Sequence, residues 1–426
     1  MKRMQLLLAV VLIAALLAGC GAADEGPITI GATLPLTGGF AINGEKHKEG
    51  YEMCVKLIND KGGLLDREVE LIVSDNQSDV DTSLAQIERF LSVDNVDMMF
   101  GSFSSKLTFP LTSVTEQNKI VHPIPSGAAL KIYERGYDYV FYFQPQAAEY
   151  VGLSPIGMLQ DLVGEGDIPK TAALVHADDF FADAIAAGLM GIDFEVEGED
   201  KTVKLSPGLL ADAGMDLVYE EKWPEEGFSD WIGLANSMKA SEAEMVFGLT
   251  ASPDETIQLV RAMQTVGYQP KAVYLSQGTQ EEFAQAVGDA AEAVMIHSAW
   301  DPAVQWEGLL AGEKFTNQDF QAAFEAEYGR PPDEDEAIPF ALCQGMEQAV
   351  RAVGSTDNVK MQEWLAARTE SDPVKTILGD FYWDERGLPV GKPYLMTQWQ
   401  GGELKFVYPV GDFPGTEDLV YPKPEW

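Results

Sequence analysis

The sequence predicts an α/β protein with two doubly wound lobes, each a parallel sheet covered by helices on both faces. Apolar, strand-like runs alternate with helix-like patterns along most of the chain, and they do so in two series that meet near residue 144. Helices between strands connect parallel neighbours, which is why this alternation indicates parallel sheets. The absence of a short-period repeat argues against a solenoid or a propeller.

The first series begins with Ile28–Leu34, a β-rich run that ends in the turn-forming sequence Pro-Leu-Thr-Gly-Gly. Tyr51, Val55 and Ile58 then recur at helical spacing, and the glycine pair at 62–63 ends that helix. The sequence predicts the remaining elements of this half as strands over 69–74, 96–101 and 120–123 and helices over 43–61, 79–91 and 107–118.

The second series has the same alternation. It predicts strands over 171–176, 216–222, 245–249 and 272–276 and helices over 182–190, 231–240 and 254–266. Residues 191–210 interrupt it with a charged, glycine-containing stretch that we expect to be a loop or a small hairpin. The acidic run over 331–336 is expected to be a solvated loop, because its carboxylates lack the spacing of a calcium-binding loop.

The N-terminus has the pattern of a secretory leader. A basic start precedes an apolar run over 6–17 that is too short to span a bilayer comfortably. The sequence Leu-Ala-Gly-Cys ending at Cys20 resembles the bacterial lipobox, in which the cysteine is lipidated and becomes the mature N-terminus. We therefore expect a signal peptide over 1–19, lipid attachment at Cys20 and a tether over 20–27. A plain signal peptide that contains a cysteine is the alternative.

Composition limits the partners of the chain. Acidic residues outnumber basic residues by 68 to 29, which gives a formal net charge of -39. Nucleic acid and anionic lipid surfaces both require a basic protein surface, so the charge argues against either as a partner. We expect a solvated acidic exterior on a monomeric protein. After the leader, no apolar run is long enough to span a bilayer.

Cysteine and histidine usage predicts neither a disulfide nor a metal site. Cys54 and Cys343 both lie in helix-like patterns, and we expect them to be buried free thiols, with a disulfide between them as the alternative. The four histidines are scattered without helical or hairpin metal spacing. We expect no metal and no cofactor.

Several motifs carry a resemblance to a known family. They lie at 28–39 (Ile-Thr-Ile-Gly-Ala-Thr-Leu-Pro-Leu-Thr-Gly-Gly), 50–51, 58–64 (Ile-Asn-Asp-Lys-Gly-Gly-Leu), 73–76, 100–105, 125–128 and 378–384. In this order they resemble branched-chain-amino-acid-type solute-binding proteins, the extracytoplasmic receptors of ABC importers. The resemblance covers nearly the whole mature chain except the insertion near residue 200.

The resemblance implies a type I periplasmic binding protein fold, in which three hinge crossings join two lobes around a ligand. Carried onto this sequence, the crossings fall near 143–146, 297–301 and 381–387. Lobe 1 then takes residues 28–143 plus 300–380, and lobe 2 takes residues 144–299 plus 381–426. The alternation of elements supports two α/β units by itself, whereas the threefold crossing comes from the resemblance alone.

Two strand-to-helix junctions of lobe 1 are candidates for the ligand site. Open α/β sheets bind ligands at the carboxyl ends of their strands, where helix N-termini present free N–H groups. In the resembling family these two segments hold the carboxylate and ammonium of the ligand. The matching residues here are Ser105, Ser126, Gly127 and Ala128, and we add Phe103 and Ser104, which stand beside them at positions where members of the family differ. Serines at a helix start are also ordinary caps, which is the alternative explanation.

Three further residues match ligand-side positions of the family. Asn43 lies in a loop facing the ligand, and Phe181 matches an aromatic residue of lobe 2 that closes over it, although it is equally suited to a core. Gln277 departs from the family pattern, which often has a carboxylate at this position that pairs with the ligand ammonium. An amide there predicts weak binding of branched-chain amino acids, unless a carboxylate from 333–336 enters the cleft.

These observations predict a lipid-anchored receptor, outside the cytoplasmic membrane, that delivers a small polar ligand to an ABC importer. The ligand class is an amino acid, an amide or a related small organic acid. A receptor subunit for a membrane sensor is the alternative. An exported enzyme is a third, weaker hypothesis, because the sequence has no nucleophile elbow, no His-Glu-x-x-His motif and no P-loop.

The lipid anchor gives a first testable prediction. Cys20→Ala should abolish lipidation and release the protein from the membrane, because no other residue of the leader can carry the lipid. Metabolic labelling with a fatty acid, together with membrane fractionation, measures both effects. Globomycin should cause the wild-type precursor to accumulate at full length. A Cys20→Ala protein that is processed normally and stays bound to the membrane contradicts the assignment.

Overall fold

The computed structural model describes residues 26–191, 193–195, 202–204, 208–225, 227–411 and 413–426. The strands are β1 (Ile28–Leu34), β2 (Val69–Asp75), β3 (Met98–Phe100), β4 (His122–Ile124), β5 (Val140–Tyr142), β6 (Thr171–Ala177), β7 (Asp193–Glu195), β8 (Thr202–Lys204), β9 (Asp216–Trp223), β10 (Met245–Leu249), β11 (Ala272–Leu275), β12 (Val294–Ser298), β13 (Glu307–Leu310), β14 (Glu313–Thr316), β15 (Val374–Thr376), β16 (Gly379–Phe381), β17 (Leu395–Gln400) and β18 (Glu403–Tyr408). The α-helices are α1 (Ala41–Asp60), α2 (Val80–Arg89), α3 (Ser105–Asn118), α4 (Leu153–Leu162), α5 (Phe180–Met190), α6 (Leu209–Asp212), α7 (Trp231–Ala240), α8 (Pro253–Val266), α9 (Glu281–Val287), α10 (Asn317–Tyr328), α11 (Glu334–Val353) and α12 (Asn358–Ala366).

The strands form two main sheets. The first has the parallel order β2-β1-β3, and the parallel pair β4-β5 lies beside it, linked by the Gly101 N–H that donates to the Pro123 carbonyl. The second has the order β18-β17-β12-β11-β10-β6-β9. Strands β6, β9, β10, β11 and β12 are parallel to one another, whereas β17 pairs antiparallel with both β12 and β18. The predicted α/β class with two lobes is confirmed.

The chain passes between the two sheets three times: between β5 and α4, after β12, and before β17. The apolar core fills both lobes, and the largest fully buried side chains are aromatic. Across the described ranges, no helix combines the length and apolarity needed to cross a membrane. The lobe boundaries given above stay a prediction.

The predicted elements are present, and the differences lie at their ends. Helix α3 begins at Ser105, two residues before the predicted start, and α2 continues into a π-helical turn over Phe90–Asp94. Side-chain caps determine where several helices begin. At the start of α5, for example, the Asp179 carboxylate accepts hydrogen bonds from two backbone N–H groups. The insertion contains β7 and β8 as an antiparallel pair, which favours the small hairpin over the loop, the two alternatives expected there.

The expectation of a solvated loop over 331–336 is wrong. Glu334 begins α11, and Asp333 caps it by accepting from the Asp335 N–H, while the Glu336 carboxylate accepts from the Asp333 N–H. Free N–H groups at a helix start stabilise negative side chains. Lys46 of α1 forms an ion pair with Asp333, and Asp335 and Glu336 are buried while Asp333 and Glu334 are half-buried, so the acids of this run are not a solvated loop.

The expectation of free thiols is also wrong. Cys54 of α1 and Cys343 of α11 form a disulfide, and both residues are fully buried. The two helices approach closely, since a Cβ on Gly50 would lie 2.3 Å from the carbonyl oxygen of Glu336. Both cysteines lie on helices as predicted, but neither helical pattern indicates which helices are neighbours.

The disulfide gives a second prediction. Replacing both cysteines, as Cys54→Ala/Cys343→Ala, should lower the free energy of unfolding by about 2–4 kcal/mol, because the bridge closes a loop of 289 residues in the unfolded chain. Urea denaturation of the variant and of the wild type measures the loss. Alkylation of the unfolded wild type without reductant should label neither cysteine. Labelling of two thiols contradicts the bridge.

Candidate functional site

A cleft lies at the carboxyl ends of the parallel strands of both sheets, where α/β proteins bind ligands. The space within it measures about 470 Å³, including the part that is open to solvent. One side follows β3, β4 and β5, the other follows β6, β11 and β12, and the start of α11 lies between them. Its lining residues are Phe103, Ser104, Ser126, Ala128, Tyr142, Gln144, Phe181, Ser276, Gln277, His297, Glu334, Asp335, Ile338 and Tyr394.

The residues predicted from the sequence divide into two groups. Those that line the cleft are Phe103, Ser104, Ser126, Ala128, Phe181 and Gln277. Ser105, Gly127 and Asn43 are not among the lining residues, although each neighbours or contacts one or more of them. Ser105 Oγ accepts from the Ala129 N–H at 3.2 Å, and the Gly127 carbonyl accepts from Tyr133. Asn43 donates to a carboxylate oxygen of Asp335 at 3.0 Å.

One end of the cleft presents hydrogen-bond donors. Ser104 is the N-cap residue of α3 with an extended backbone, and its hydroxyl makes no hydrogen bond within the described chain. The first N–H groups of α3 have no partner inside the helix, as at any helix start. The Ala128 N–H likewise has no acceptor among the described residues. This combination suits an anionic or strongly polar group.

The hydrogen bonds around Ser126 determine the direction in which its hydroxyl donates. His47 Nδ1 donates to the Asn43 carbonyl oxygen at 2.9 Å, which leaves Nε2 of the neutral ring as an acceptor. The Ser126 hydroxyl therefore donates to His47 Nε2 at 2.9 Å and accepts from Gln144 Nε2 at 3.0 Å. Burial lowers the pKa of His47 to about 4, which keeps the ring neutral.

The walls of the cleft are aromatic. Phe103 packs edge-on against Phe40 and His47 on the side of the first sheet. On the opposite side Phe181 is nearly buried. Tyr394 donates to Gln144 and lies 4.6 Å, ring centre to ring centre, from His297. Burial lowers the pKa of His297 to about 3, so this ring also carries no charge.

The other end of the cleft is acidic, because Glu334 and Asp335 line it, which is the alternative left open for residues 333–336. The Glu334 carboxylate accepts from the Thr279 hydroxyl at 2.8 Å, and from the Ser298 hydroxyl and the Ala299 N–H. One oxygen of Asp335 accepts from Asn43 and from Gln280 Nε2. Two prolines ahead of an acidic, helix-opening sequence were the available signal for a helix start here.

These two carboxyl groups have strongly perturbed pKa values. Burial raises the pKa of Glu334 to about 8, and the neighbouring Asp335 carboxylate adds to the shift. Burial likewise raises the pKa of Asp335 to about 7, with Asp333 contributing. The pKa of Asp333 moves the other way: burial raises it, but the charge of Lys46 and the hydrogen bonds to the Asp333 carboxylate together outweigh burial and lower it. Both Glu334 and Asp335 are therefore in titration near neutral pH.

Residues at the chain crossings also line the cleft, and none of them is among the candidate site residues predicted from the sequence. Gln144 lies at the first crossing, His297 just before the second and Tyr394 at the third, and together they close the back of the cleft. Tyr142 joins them through its hydroxyl, 3.3 Å from that of Tyr394. In the sequence, the only indication that these residues line the cleft was that an amide and aromatic side chains occur near the predicted crossings.

Two α/β lobes with three connections and a cleft between them define a two-lobed binding protein. The chain belongs to the periplasmic binding protein family, whose model matches residues 27–152 and 203–403. This is a family of extracytoplasmic solute-binding receptors and not of enzymes. The resemblance stated from the sequence motifs is confirmed.

Relatives and solved structures agree with this assignment. The chain is 25% identical to Leu/Ile/Val-binding protein homolog 7 of Brucella suis, over 93% of this chain and 95% of that protein. A branched-chain amino acid transporter substrate-binding protein of Streptococcus pneumoniae, in complex with isoleucine, superposes with a TM-score of 0.74 at 16% identity, covering 93% and 100% of the two chains. A solute-binding protein of R. palustris in complex with benzoate gives 0.71 at 17%, covering 94% and 98%.

The raised pKa values predict a pH-dependent stability. Because Glu334 binds its proton more tightly in the folded state than in the unfolded state, stability is lost as the pH rises from about 4.5 to about 8. The variant Glu334→Gln should therefore gain stability relative to the wild type as the pH rises through this range. Urea denaturation of both ligand-free proteins at several pH values measures the difference.

Glu281→Gln, at an exposed carboxylate on α9, controls for the loss of one negative charge. A difference between Glu334→Gln and the wild type that stays constant from pH 5 to about pH 8 contradicts the assignment.

Proposed function

We propose that this protein is a lipid-anchored solute receptor that clamps a small amino acid or related carboxylate between its lobes and delivers it to an ABC importer. The observation that carries the proposal is the donor end of the cleft. There the free Ser104 hydroxyl, the open N–H groups of α3 and the Ala128 N–H converge on one space. Such donors recognise a carboxylate.

The ligands of solved neighbours support a carboxylate at this end. Isoleucine and benzoate are bound by two structures of the same fold, and the group that the two compounds share is a carboxylate. The aromatic walls formed by Phe103 and Phe181 suit an apolar group attached to it. The ligand is thus expected to join a carboxylate to a small side chain.

Contacts between the lobes support closure as the mechanism. Lys106 of α3 forms an ion pair with Glu225 at 2.7 Å, and Phe109 packs on Phe180 of α5 at 5.1 Å between ring centres. A ligand touched by both lobes favours the closed state over the open one. An importer can then distinguish the loaded receptor by its shape, and no chemistry on the ligand is required.

The anchor belongs to the same proposal. Residues 1–25, which include the lipobox-like sequence and Cys20, lie outside the described residues. A lipid on Cys20 would hold the receptor at the outer face of the membrane, close to the permease it serves. Delivery then requires only diffusion along the membrane surface.

The ligand site gives a further prediction. Ser104→Ala should weaken binding by about 1.5–3 kcal/mol if the hydroxyl donates to a carboxylate, because hydrogen bonds to charged groups are the stronger ones. The ligand is found by mass spectrometry of co-purified compounds and by a thermal-shift screen of amino acids, amides and aromatic acids. Calorimetry then compares the variants.

Ser113→Ala is the matched control, since Ser113 lies on the same helix but bonds to Tyr137 and Arg135. Equal affinities for the wild type and Ser104→Ala would place the carboxylate elsewhere. A screen and a purification that both yield no small-molecule ligand would remove the proposed function.

A further inference from the structure

A second groove lies outside the cleft. Strands β13, β14, β15 and β16 form it together with the third crossing, and none of its lining residues also lines the cleft. The space within it measures about 1080 Å³, including the part that is open to solvent. A molecule bound in this groove therefore does not occupy the cleft.

The groove is rich in lysine, although the chain is strongly acidic. Its lining includes three lysines and two acids, whereas acidic residues outnumber basic residues by 68 to 29 in the whole sequence. Lys314 of β14 forms an ion pair with Glu307 of β13. Asp380 lies opposite Lys375 in the register of β15 and β16, but the two form no ion pair. Within the described ranges, Lys375 and Lys392 thus have no anionic partner.

The ammonium of Lys392 is held between two aromatic rings. Its Nζ lies 4.8 Å from the ring centre of Trp306 and 4.5 Å from that of Phe381, and it donates to the Leu378 carbonyl oxygen. Because an ammonium has three donors, two of them remain unused. Gly379 leaves room for this group, since an added Cβ would lie 3.0 Å from Nζ. A cation partly withdrawn from water is costly unless it gains acceptors.

Two further donors of the groove are also unused. The indole N–H of the half-buried Trp306 donates to no described residue, and neither does the ammonium of Lys375, whose side chain is exposed. Together with Lys392 they give the groove three donor groups, two of which are cationic. Lysine ammonium groups form their stronger hydrogen bonds with carboxylate and phosphate oxygens.

We propose that this groove binds a small free oxyanion with two or more negative charges, with Lys375, Lys392 and the Trp306 N–H as its donors. The ligand class covers phosphate, sulfate and di- or tricarboxylates, which share charged oxygens that accept hydrogen bonds. Asp380 opposes such a ligand, but the two unpaired ammonium groups outnumber its single charge. The site is independent of the cleft and of the receptor function proposed above.

The protonation of Lys392 makes this binding depend on pH. Burial lowers the pKa of Lys392 to about 7, although the charge of Asp380 acts in the opposite direction. Because the anion binds the charged amine, its affinity should rise about tenfold from about pH 8 to about pH 6. The other charged groups that line the groove are Glu307, Lys314 and Lys375, and they remain in a Lys392→Met variant.

Calorimetry with sulfate and with citrate tests the proposal on the purified protein, in chloride at about 0.15 M to screen long-range effects. Binding of at least one of the two anions should saturate below about 1 mM. Sulfate keeps both of its charges near neutral pH, so the pH series uses sulfate. Glycerophosphoglycerol, a singly charged analogue of a lipid head group, should bind more weakly than either anion.

Three variants give effects of different sign and size. Lys392→Met keeps an apolar stem between the two rings, and it should weaken binding at least about tenfold and abolish the pH dependence. Lys375→Met should weaken binding only about threefold, because this ammonium is exposed. Asp380→Asn removes the opposing charge and should strengthen binding. Lys375 and Asp380 are both exposed, so these two variants test the site even if Lys392→Met does not fold.

Lys360→Met is the matched control, since Lys360 is an exposed lysine of α12 that pairs with Asp357, and it should bind the anions as the wild type does. Titrations that do not saturate, or equal affinities in the wild type, Lys375→Met and Asp380→Asn, mean an adventitious ion only and overturn the site. A head-group analogue that binds more tightly than sulfate and citrate overturns the free oxyanion as ligand. None of these results changes the receptor function, which depends on the cleft.

Discussion

The packing of α1 against the start of α11 is the constraint on which the rest of the structure depends. Gly50 lets the two helices approach, the Cys54–Cys343 disulfide joins them, and Lys46 pairs with Asp333 where α11 begins. Because this contact fixes the first turn of α11, it places Glu334 and Asp335 in the cleft. The same helix α1 orients Ser126 through His47, so one helix pair determines both ends of the site.

Hydrogen-bond donors lie at one end of the cleft and acceptors at the other, and few of these groups are charged. Its donor end is made of backbone N–H groups and the Ser104 hydroxyl, and its acceptor end of the carboxyl groups of Glu334 and Asp335. Buried His47 and His297 both remain neutral, because desolvation lowers their pKa values far below physiological pH.

The net negative charge of the chain does not determine the electrostatics of the cleft. Most of the excess of acidic over basic residues is exposed to water, where salt screens charges beyond about 8–10 Å. At the start of α11 the acids are buried or half-buried, and the capping box, Lys46 beside Asp333 and Arg330 beside Glu336 stabilise them. The net charge of -39 is thus a property of the solvated surface and does not indicate the charge of the ligand.

The sequence by itself determined the elements and their class. Strand β1, helix α7 and strand β10 have the predicted bounds, because β-rich runs, helical spacing and flanking turns are local signals. Local signals also located the strand ends that carry Ser104, Ser126 and Ala128. Only the tertiary structure decided that Cys54 meets Cys343, 289 residues away, and that Glu334 and Asp335 face a cleft. Both depend on which helices become neighbours, and burial of apolar faces across the whole chain settles that choice.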